Sequence, residues 1–177
     1  MTKRILLIAA FIVGLSAAAM AQSLYVGSGL ALAPSQPDFK QDGLFSPMVG
    51  YDFPQLWRVS FMSTNSKNTS STPETKMSES LIGVQRLFVY PLNQGFSLIG
   101  ALGAGWYMVS LSGAGSGNGT GLGLMADGSM RWHINKNLFV DATFQFRDSG
   151  VQISAPGGDF TVDGGWTGVA AAVGWVF

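Results

Sequence analysis

The sequence contains one histidine, His133, which is its single imidazole for acid–base catalysis or metal binding. Ser129 precedes it by four residues. On a β-strand these two positions share a face but lie about 13 Å apart, too far for the direct hydrogen bond that activates a nucleophilic serine. We therefore expect no catalytic residue and interpret the chain as a non-enzyme.

Two further patterns could indicate a catalytic or a phosphate-binding site. Asp127 and Asp141 could form a carboxylate pair for acid–base work, but Arg131 lies between them, so ion pairing is the simpler interpretation. The glycine-rich stretches 100–105 and 115–123 look like phosphate loops, but no helical segment follows either one. The sequence has no cysteine, which removes thiol catalysis, disulfides and cysteine-based metal sites. We expect neither a cofactor nor a metal.

The segments that must position these residues alternate between apolar and small or polar residues, which is typical of β-strands. Eight such segments cover residues 24–32, 44–53, 56–66, 77–90, 96–111, 122–134, 138–146 and 166–177. In the fourth, Arg86 shares a face with the apolar Ile82 and Val84. Either a bulge shifts the register there, or Arg86 lies on the lipid-facing side and reaches the headgroups near Pro91.

The connections between these segments alternate in length. Long polar connections cover residues 34–43, 65–76, 112–120 and 148–165, and short ones lie near 54–55, 91–95 and 135–137. An even number of strands joined by alternating short turns and long loops is typical of outer-membrane barrels, whose short turns face the periplasm. The sequence therefore predicts an all-β fold, an eight-stranded antiparallel up-and-down transmembrane barrel.

The polar face of the predicted strands carries charges of both signs. Arg131 and Asp141 are symmetric about a turn near Lys136, and symmetric positions of antiparallel strands face each other. Asp52 and Arg58 have the same relation about the turn at 54–55. The predicted lumenal charge network consists of Asp52, Arg58, Glu79, Asp127, Arg131, Asp141 and Arg147. We expect these residues to plug the barrel as ion pairs; the alternative is a gated path for ions or solutes.

The amino end has the features of a secretory signal peptide. Lys3 and Arg4 precede the apolar run 5–13, and the small residues Ala19 and Ala21 mark a cleavage site. We predict a signal peptide at 1–21 and a single barrel domain of 177 − 21 = 156 residues at 22–177. That domain has no apolar run of about 18 residues, which disfavours a spanning helix, and a formal charge of 8 − 10 = −2, which disfavours nucleic-acid binding.

The last twelve residues, WTGVAAAVGWVF, end on an aromatic and look like the closing strand of an outer-membrane barrel. With the stretches 100–107 and 121–146, they give the chain a resemblance to the OmpA/OmpX-like family of small outer-membrane β-barrels. The resemblance covers residues 22–177. It implies a monomer among outer-membrane lipids and lipopolysaccharide, inserted by periplasmic chaperones and the barrel-assembly machinery. The insertion signal would be Phe177, Trp175 and Val173.

From this pattern we expect a role in envelope integrity or in contacts made by the external loops. The first alternative is a narrow porin-like channel. The second is an outer-membrane lipid-modifying enzyme, for which the chain lacks the His-x-Ser-Asn arrangement of lipid A deacylases. The third is a soluble secreted barrel whose apolar stripes face inward.

Overall fold

The computed structural model describes residues 22–34, 40–41, 46–68, 74–113, 116–155, 158–163 and 166–177. Within these ranges the chain forms ten strands: β1 (Ser23–Pro34), β2 (Lys40–Gln41), β3 (Ser46–Phe53), β4 (Trp57–Asn68), β5 (Thr75–Pro91), β6 (Phe96–Ser112), β7 (Gly117–His133), β8 (Leu138–Ala155), β9 (Gly158–Asp163) and β10 (Trp166–Val176). A search of the same ranges finds no helix with the length and apolar character to cross a membrane. The predicted signal peptide at 1–21 lies outside the described residues.

Eight of the strands close into a ring in the order β1-β3-β4-β5-β6-β7-β8-β10. Strand β10 pairs with β8 and also with β1. The β1–β10 pair is the seam that closes the ring, so the ring has no free edge. All of these pairs are antiparallel. The prediction of an eight-stranded antiparallel barrel is therefore confirmed. The short strands β2 and β9 extend the sheet beside β4 and β8.

Alternation along each strand separates an apolar outer face from a mixed interior. On β8, Phe144 and Phe146 are exposed, whereas Phe139 and Gln145 are buried inside the ring. The outer face carries a continuous band of exposed apolar side chains, here called the apolar belt. Its members include Val26, Val49, Val59, Ile82, Leu102, Trp106, Leu122, Leu124, Phe144 and Val173.

The two ends of the barrel differ. At the turn end, β3–β4, β5–β6 and β7–β8 are joined by the short turns 54–56, 92–95 and 134–137. The first and last described residues also meet there, since the Phe177 amide donates to the Gln22 carbonyl at 2.9 Å. The opposite end, which carries the longer connections, is called the loop end.

The strands run further toward the loop end than the sequence predicts. Strand β7 begins at Gly117 instead of 122, and β8 continues to Ala155 and turns into β9, where a loop of 148–165 is expected. These extensions are rich in Ser, Gly, Thr and Gln. A strand that is polar on its outer face gives no apolar alternation, so the pattern underestimates it.

The register of β5 resolves the two alternatives for Arg86. Strand β5 pairs without interruption with β4 and β6, so no bulge is present. Arg86 lies on the outer face at the turn end, donates to the Gln55 carbonyl and stacks 5.5 Å over the Trp57 ring. Packing on an aromatic ring near the barrel end lets the cation reach the headgroup region.

Candidate functional site: the charged interior of the barrel

The interior at the turn end contains an ion pair between neighbouring strands. Arg131 on β7 and Asp141 on β8 are register partners. The Arg131 Nε and Nη2 atoms donate to the two carboxylate oxygens of Asp141 at 2.8 and 2.7 Å. This bidentate geometry is the strongest that an arginine and a carboxylate can form.

The same guanidinium also bonds to the opposite wall. Arg131 Nη2 donates to Asp52 Oδ2 at 2.9 Å. Asp52 lies on β3, which is four positions from β7 in the ring of eight, so this pair spans the lumen. Asp52 is also bonded by Arg58 of β4, whose Nε and Nη2 donate at 2.6 and 3.1 Å, and by the Ser23 hydroxyl at 3.3 Å.

We call Asp52, Arg58, Arg131 and Asp141 the crossing cluster. Each of the four is at most 3% exposed, and the two arginines balance the two aspartates. A buried charge without water or a partner is costly, so mutual pairing is what allows these groups to fill the lumen. Among the described residues, removing Arg131 leaves Asp141 without an ion-pair partner, and removing Asp52 does the same to Arg58.

Both arginines of the crossing cluster lie on an aromatic ring. The Arg58 guanidinium is 4.9 Å from the Tyr25 ring centre, and that of Arg131 is 3.7 Å from the Phe139 ring centre. Each ring in turn covers a glycine, because the register partners of Tyr25 and Phe139 are Gly50 and Gly174. A Cβ at these glycines would come within about 2 Å of ring atoms. The small residues therefore make room for the rings that support the arginines.

A second group of polar residues lies nearer the loop end. Arg147 forms an ion pair with Asp127, and Gln85 Nε2 donates to the other oxygen of that aspartate at 2.8 Å. Glu79 also faces inward, and its Oε1 makes no hydrogen bond within the described part of the chain. The predicted set thus divides into the crossing cluster and this second group, which Glu79 adjoins through its electrostatic interaction with Arg147.

An apolar group closes the interior beside the crossing cluster. It consists of Leu56, Leu87, Val89, Ile99 and Ala101, all buried. Leu56 belongs to the β3–β4 turn, has a φ of 63° and accepts a 2.7 Å hydrogen bond from the Leu87 amide at its carbonyl. A left-handed leucine is unfavourable by roughly 1–2 kcal/mol, so its burial must compensate.

Little free space remains between these groups. The interior cavity lined by Tyr25, Arg58, Asp127 and Arg147 has a volume of about 10 Å³. Such a volume is close to the minimum that one water molecule needs. Side chains therefore fill this part of the interior.

The candidate catalytic residues do not form a catalytic geometry. The Ser129 hydroxyl donates to the Ile99 carbonyl at 3.5 Å, and the His133 ring lies 6.0 Å from the Phe139 ring. Within the described residues, no three metal-ligating acidic, histidine or cysteine side chains come together. The charged residues described above are therefore arranged as ion pairs.

Sequence reasoning did not identify every residue of the interior. Ser23, Tyr25, Phe139 and Leu56 were not singled out, although each touches or closes the charged region. The register pairs of β1 with β3 and of β8 with β10 are the signal that would have located the first three. Alternation within one strand does not specify register.

The residues of the expected insertion signal lie at the carboxyl end of β10 and directly after it. Val173 and Trp175 point outward with about half of their surface exposed, and Phe177 is 68% exposed. Trp175 and Val173 pair with Leu24 and Val26 across the seam. These side chains are thus presented on the outer face, beside the strand that closes the barrel.

Comparison with known proteins gives one family and several structures of the same architecture. The model of the family described as "Outer membrane protein beta-barrel domain" matches residues 7–177. Neisserial surface protein A is 16% identical, with a TM-score of 0.63 over 88% of this chain and 97% of that chain. OprG from Pseudomonas aeruginosa is 14% identical, with a TM-score of 0.57 over 89% and 96%.

The attachment invasion locus protein of Yersinia pestis, Ail, is 17% identical, with a TM-score of 0.51 over 89% of this chain and 99% of that chain. At these identities the likeness shows a shared fold. A search of curated protein sequences finds no match.

Proposed function

Because the chain belongs to the outer membrane protein β-barrel family, we propose that it is an integral outer-membrane barrel with a closed lumen, which supports the envelope and makes contacts through its loop end. The family match and the closed ring of eight strands support this proposal. In such barrels the short turns face the periplasm and the longer loops face outward. The turn end is then periplasmic and the loop end external.

The observation that carries the closed lumen is the pair between Arg131 and Asp52. It joins opposite walls of the ring at 2.9 Å, at the level where Arg58 and Asp141 also bond. The apolar group around Leu56 occupies the lumen beside it. An ion entering from the loop end would have to displace a neutral, fully paired cluster, which is costly.

A role in external contacts rests on the loop end and on the names of similar proteins. One is called a surface protein and another an attachment protein. The strands of this chain also extend beyond the apolar belt and carry a large polar surface outward. Such a surface is available to molecules outside the cell, whereas a closed lumen offers them no path.

The route to the membrane and the assembly state complete the proposal. The signal peptide at 1–21 directs export, and chaperones deliver the chain to the barrel-assembly machinery. That machinery recognises the end of the chain through Val173 and Trp175, which are exposed on the outer face of β10, and through the exposed Phe177 that follows the strand. The barrel works as a monomer among outer-membrane lipids, without nucleic acid, cofactor or catalytic activity. The Ser129 hydroxyl, which bonds a carbonyl, supports the last assignment.

Solute release from liposomes tests this function. The protein is folded into phospholipid liposomes loaded with a small fluorescent dye. Folding of the barrel is checked separately on gels, where the unheated protein should migrate faster than the heated protein. We expect folded protein in the membrane and no more release than from empty liposomes. Rapid release at the same folded amount would overturn the closed lumen, and protein that stays soluble without detergent would overturn the membrane barrel.

A further inference from the structure

Gln22, the first residue of the predicted barrel domain, is held in place at the turn end beside the seam. The Phe177 amide donates to its main-chain carbonyl at 2.9 Å, next to the pair formed by Ser23 and Val176. Gln22 is exposed, and alternation from the outward-facing Leu24 places its side chain on the outer face of the barrel. The residue is therefore fixed by its backbone and accessible at its side chain.

A tyrosine of the neighbouring strand bonds to the end of this side chain. The Tyr51 hydroxyl on β3 donates to Gln22 Oε1 at 2.8 Å. Tyr51 is the register partner of Leu24, so the tyrosine and the glutamine meet diagonally on the outer face. The Tyr51 ring is packed edge-on against Phe53, with ring centres 4.7 Å apart. The hydroxyl is thus positioned on the amide oxygen, where it draws electron density from the amide carbon.

Cleavage after Ala21 would change the chemistry of Gln22. Its main-chain nitrogen would become a free α-amino group, part of which is neutral and nucleophilic at neutral pH. This nitrogen and the side-chain amide carbon belong to the same residue, and a bond between them closes a five-membered ring. An intramolecular reaction of this kind needs no second molecule and is favoured by proximity. The end of the mature chain therefore contains both reacting groups.

We propose that Gln22 cyclises to pyroglutamate in the folded barrel, with the Tyr51 hydroxyl as the hydrogen-bond donor that promotes the reaction. This rests on the proposed function, in which the signal peptide at 1–21 is removed. The α-amino nitrogen attacks the side-chain carbon Cδ and forms a new carbon–nitrogen bond. The Cδ–Nε2 bond breaks, and the side-chain nitrogen leaves as ammonia with one proton from the amine. Oε1 remains as the carbonyl oxygen of the ring, and the reaction needs no oxidant or reductant.

The Tyr51 hydroxyl contacts the oxygen on which negative charge develops. Attack on Cδ gives a tetrahedral intermediate whose charge is on Oε1, and a donor at 2.8 Å is within the range that stabilises such an oxyanion. A hydrogen bond to a charged oxygen is stronger than one to a neutral amide, so the bond favours the intermediate over the open glutamine. Water competes for the same oxygen at this exposed position, which keeps the acceleration modest.

The product is suited to its surroundings. Gln22 adjoins Phe177 and Phe53, which are 68% and 38% exposed. A free α-ammonium group beside these apolar rings would be unfavourable, because a charge loses hydration next to apolar surface. The pyroglutamyl ring has no charge. It also lacks the free amine that an aminopeptidase requires, so cyclisation protects the strand that closes the barrel.

The test follows the intact mass of the barrel after its amino end is released. The chain 22–177 is made behind a leader with a factor Xa site, folded in detergent and cut, so that Gln22 becomes the first residue. Cyclisation lowers the mass by one ammonia molecule. We expect wild type to cyclise about tenfold faster than Tyr51→Phe, through loss of one hydrogen bond to a charged oxygen. The matched control Tyr90→Phe, which changes another exposed tyrosine near the turn end, should cyclise like wild type.

Equal rates in wild type and Tyr51→Phe would overturn the proposal, as would faster cyclisation of the same chain unfolded in urea. Each variant is checked for heat-dependent gel migration, so that a folding defect is not mistaken for slow chemistry. Protein isolated from outer membranes separates this inference from the proposed function. A mass that retains 1–21 or indicates another first residue contradicts the predicted signal peptide, whereas a chain that begins at Gln22 with a free amine contradicts cyclisation alone.

Discussion

Arg131 Nη2 donates to Asp52 Oδ2 at 2.9 Å, although the two residues lie on strands at opposite sides of the barrel. The two positions are 79 residues apart in the chain. Ladder hydrogen bonds connect each strand to its neighbours, and this pair adds a connection through the lumen. Because both groups are buried, losing one of them should destabilise the barrel.

Removing the charge of Arg131 should therefore destabilise the barrel. We predict that Arg131→Met lowers the free energy of unfolding by about 3–5 kcal/mol, because Asp52 and Asp141 lose their shared partner. Urea titration of the folded protein in lipid vesicles measures this. Lys136→Met, at an exposed turn position, is the control and should change the value by less than about 0.5 kcal/mol. A cost below that of the control would contradict the crossing cluster.

Gly174 should not tolerate a methyl group. Its Cβ would lie 2.0 Å from the tip of the buried Phe139 ring, which supports the Arg131 guanidinium. We predict that Gly174→Ala costs about 1–3 kcal/mol of unfolding free energy by overpacking. Gly128→Ala is the matched control, since no described atom lies within 4 Å of its Cβ. Similar unfolding midpoints for the two variants would contradict this account of the glycine.

Much of this architecture can be predicted from the sequence, because apolar residues recur at every second position of the strands. The apolar stripes on β6, β7 and β8 specify which residues face outward, and strong turn residues place the short connections. The inward assignment of Asp52, Arg58, Arg131 and Asp141 follows from the same alternation. The family match confirms the resemblance to small outer-membrane barrels.

The sequence could not supply contacts across the lumen. Symmetry about a turn pairs Arg131 with Asp141, but the bond to Asp52 depends on closing the ring and on barrel diameter, which are properties of the whole sheet. Nor could it show that Leu56 turns inward with a positive φ. The polar strand ends at the loop end have no apolar stripe, so their length became visible only with the register.

The turn residue Leu56 should contribute more to the stability of the barrel than a residue in a connection usually does. Its side chain is 5% exposed and packs with Leu87 and Ile99. We predict that Leu56→Ala lowers the unfolding free energy by about 2–5 kcal/mol through the lost burial. Leu92→Ala, in the next turn, removes a side chain that is 49% exposed and should cost much less. Equal costs in the urea titration would show that Leu56 does not close the interior.

The closing strand should matter for assembly more than for stability. Trp175 and Trp132 are both outward-facing tryptophans, each 49% exposed, on strands that end at the turn end. We predict that Trp175→Ala reduces the fraction of barrel assembled in cells, because it alters the recognised strand. Trp132→Ala should not. The assay is heat-dependent migration of membrane-fraction protein, with unfolding free energies of both purified variants as a reference. An equal loss of assembled barrel in the two variants would contradict the prediction, because it would show that any outward tryptophan at the turn end has the same effect.

The most direct test of the closed lumen is electrical recording from the wild-type barrel in a planar bilayer. A lumen crossed by Arg131 and Asp52 and filled beside them by the apolar group predicts a baseline current equal to that of the protein-free bilayer. That result is expected in both orientations and across the voltage range in which the bilayer itself is stable. Stable, stepwise conductance from heat-modifiable, fully folded protein would contradict the account, because ions would then be passing through the crossing cluster.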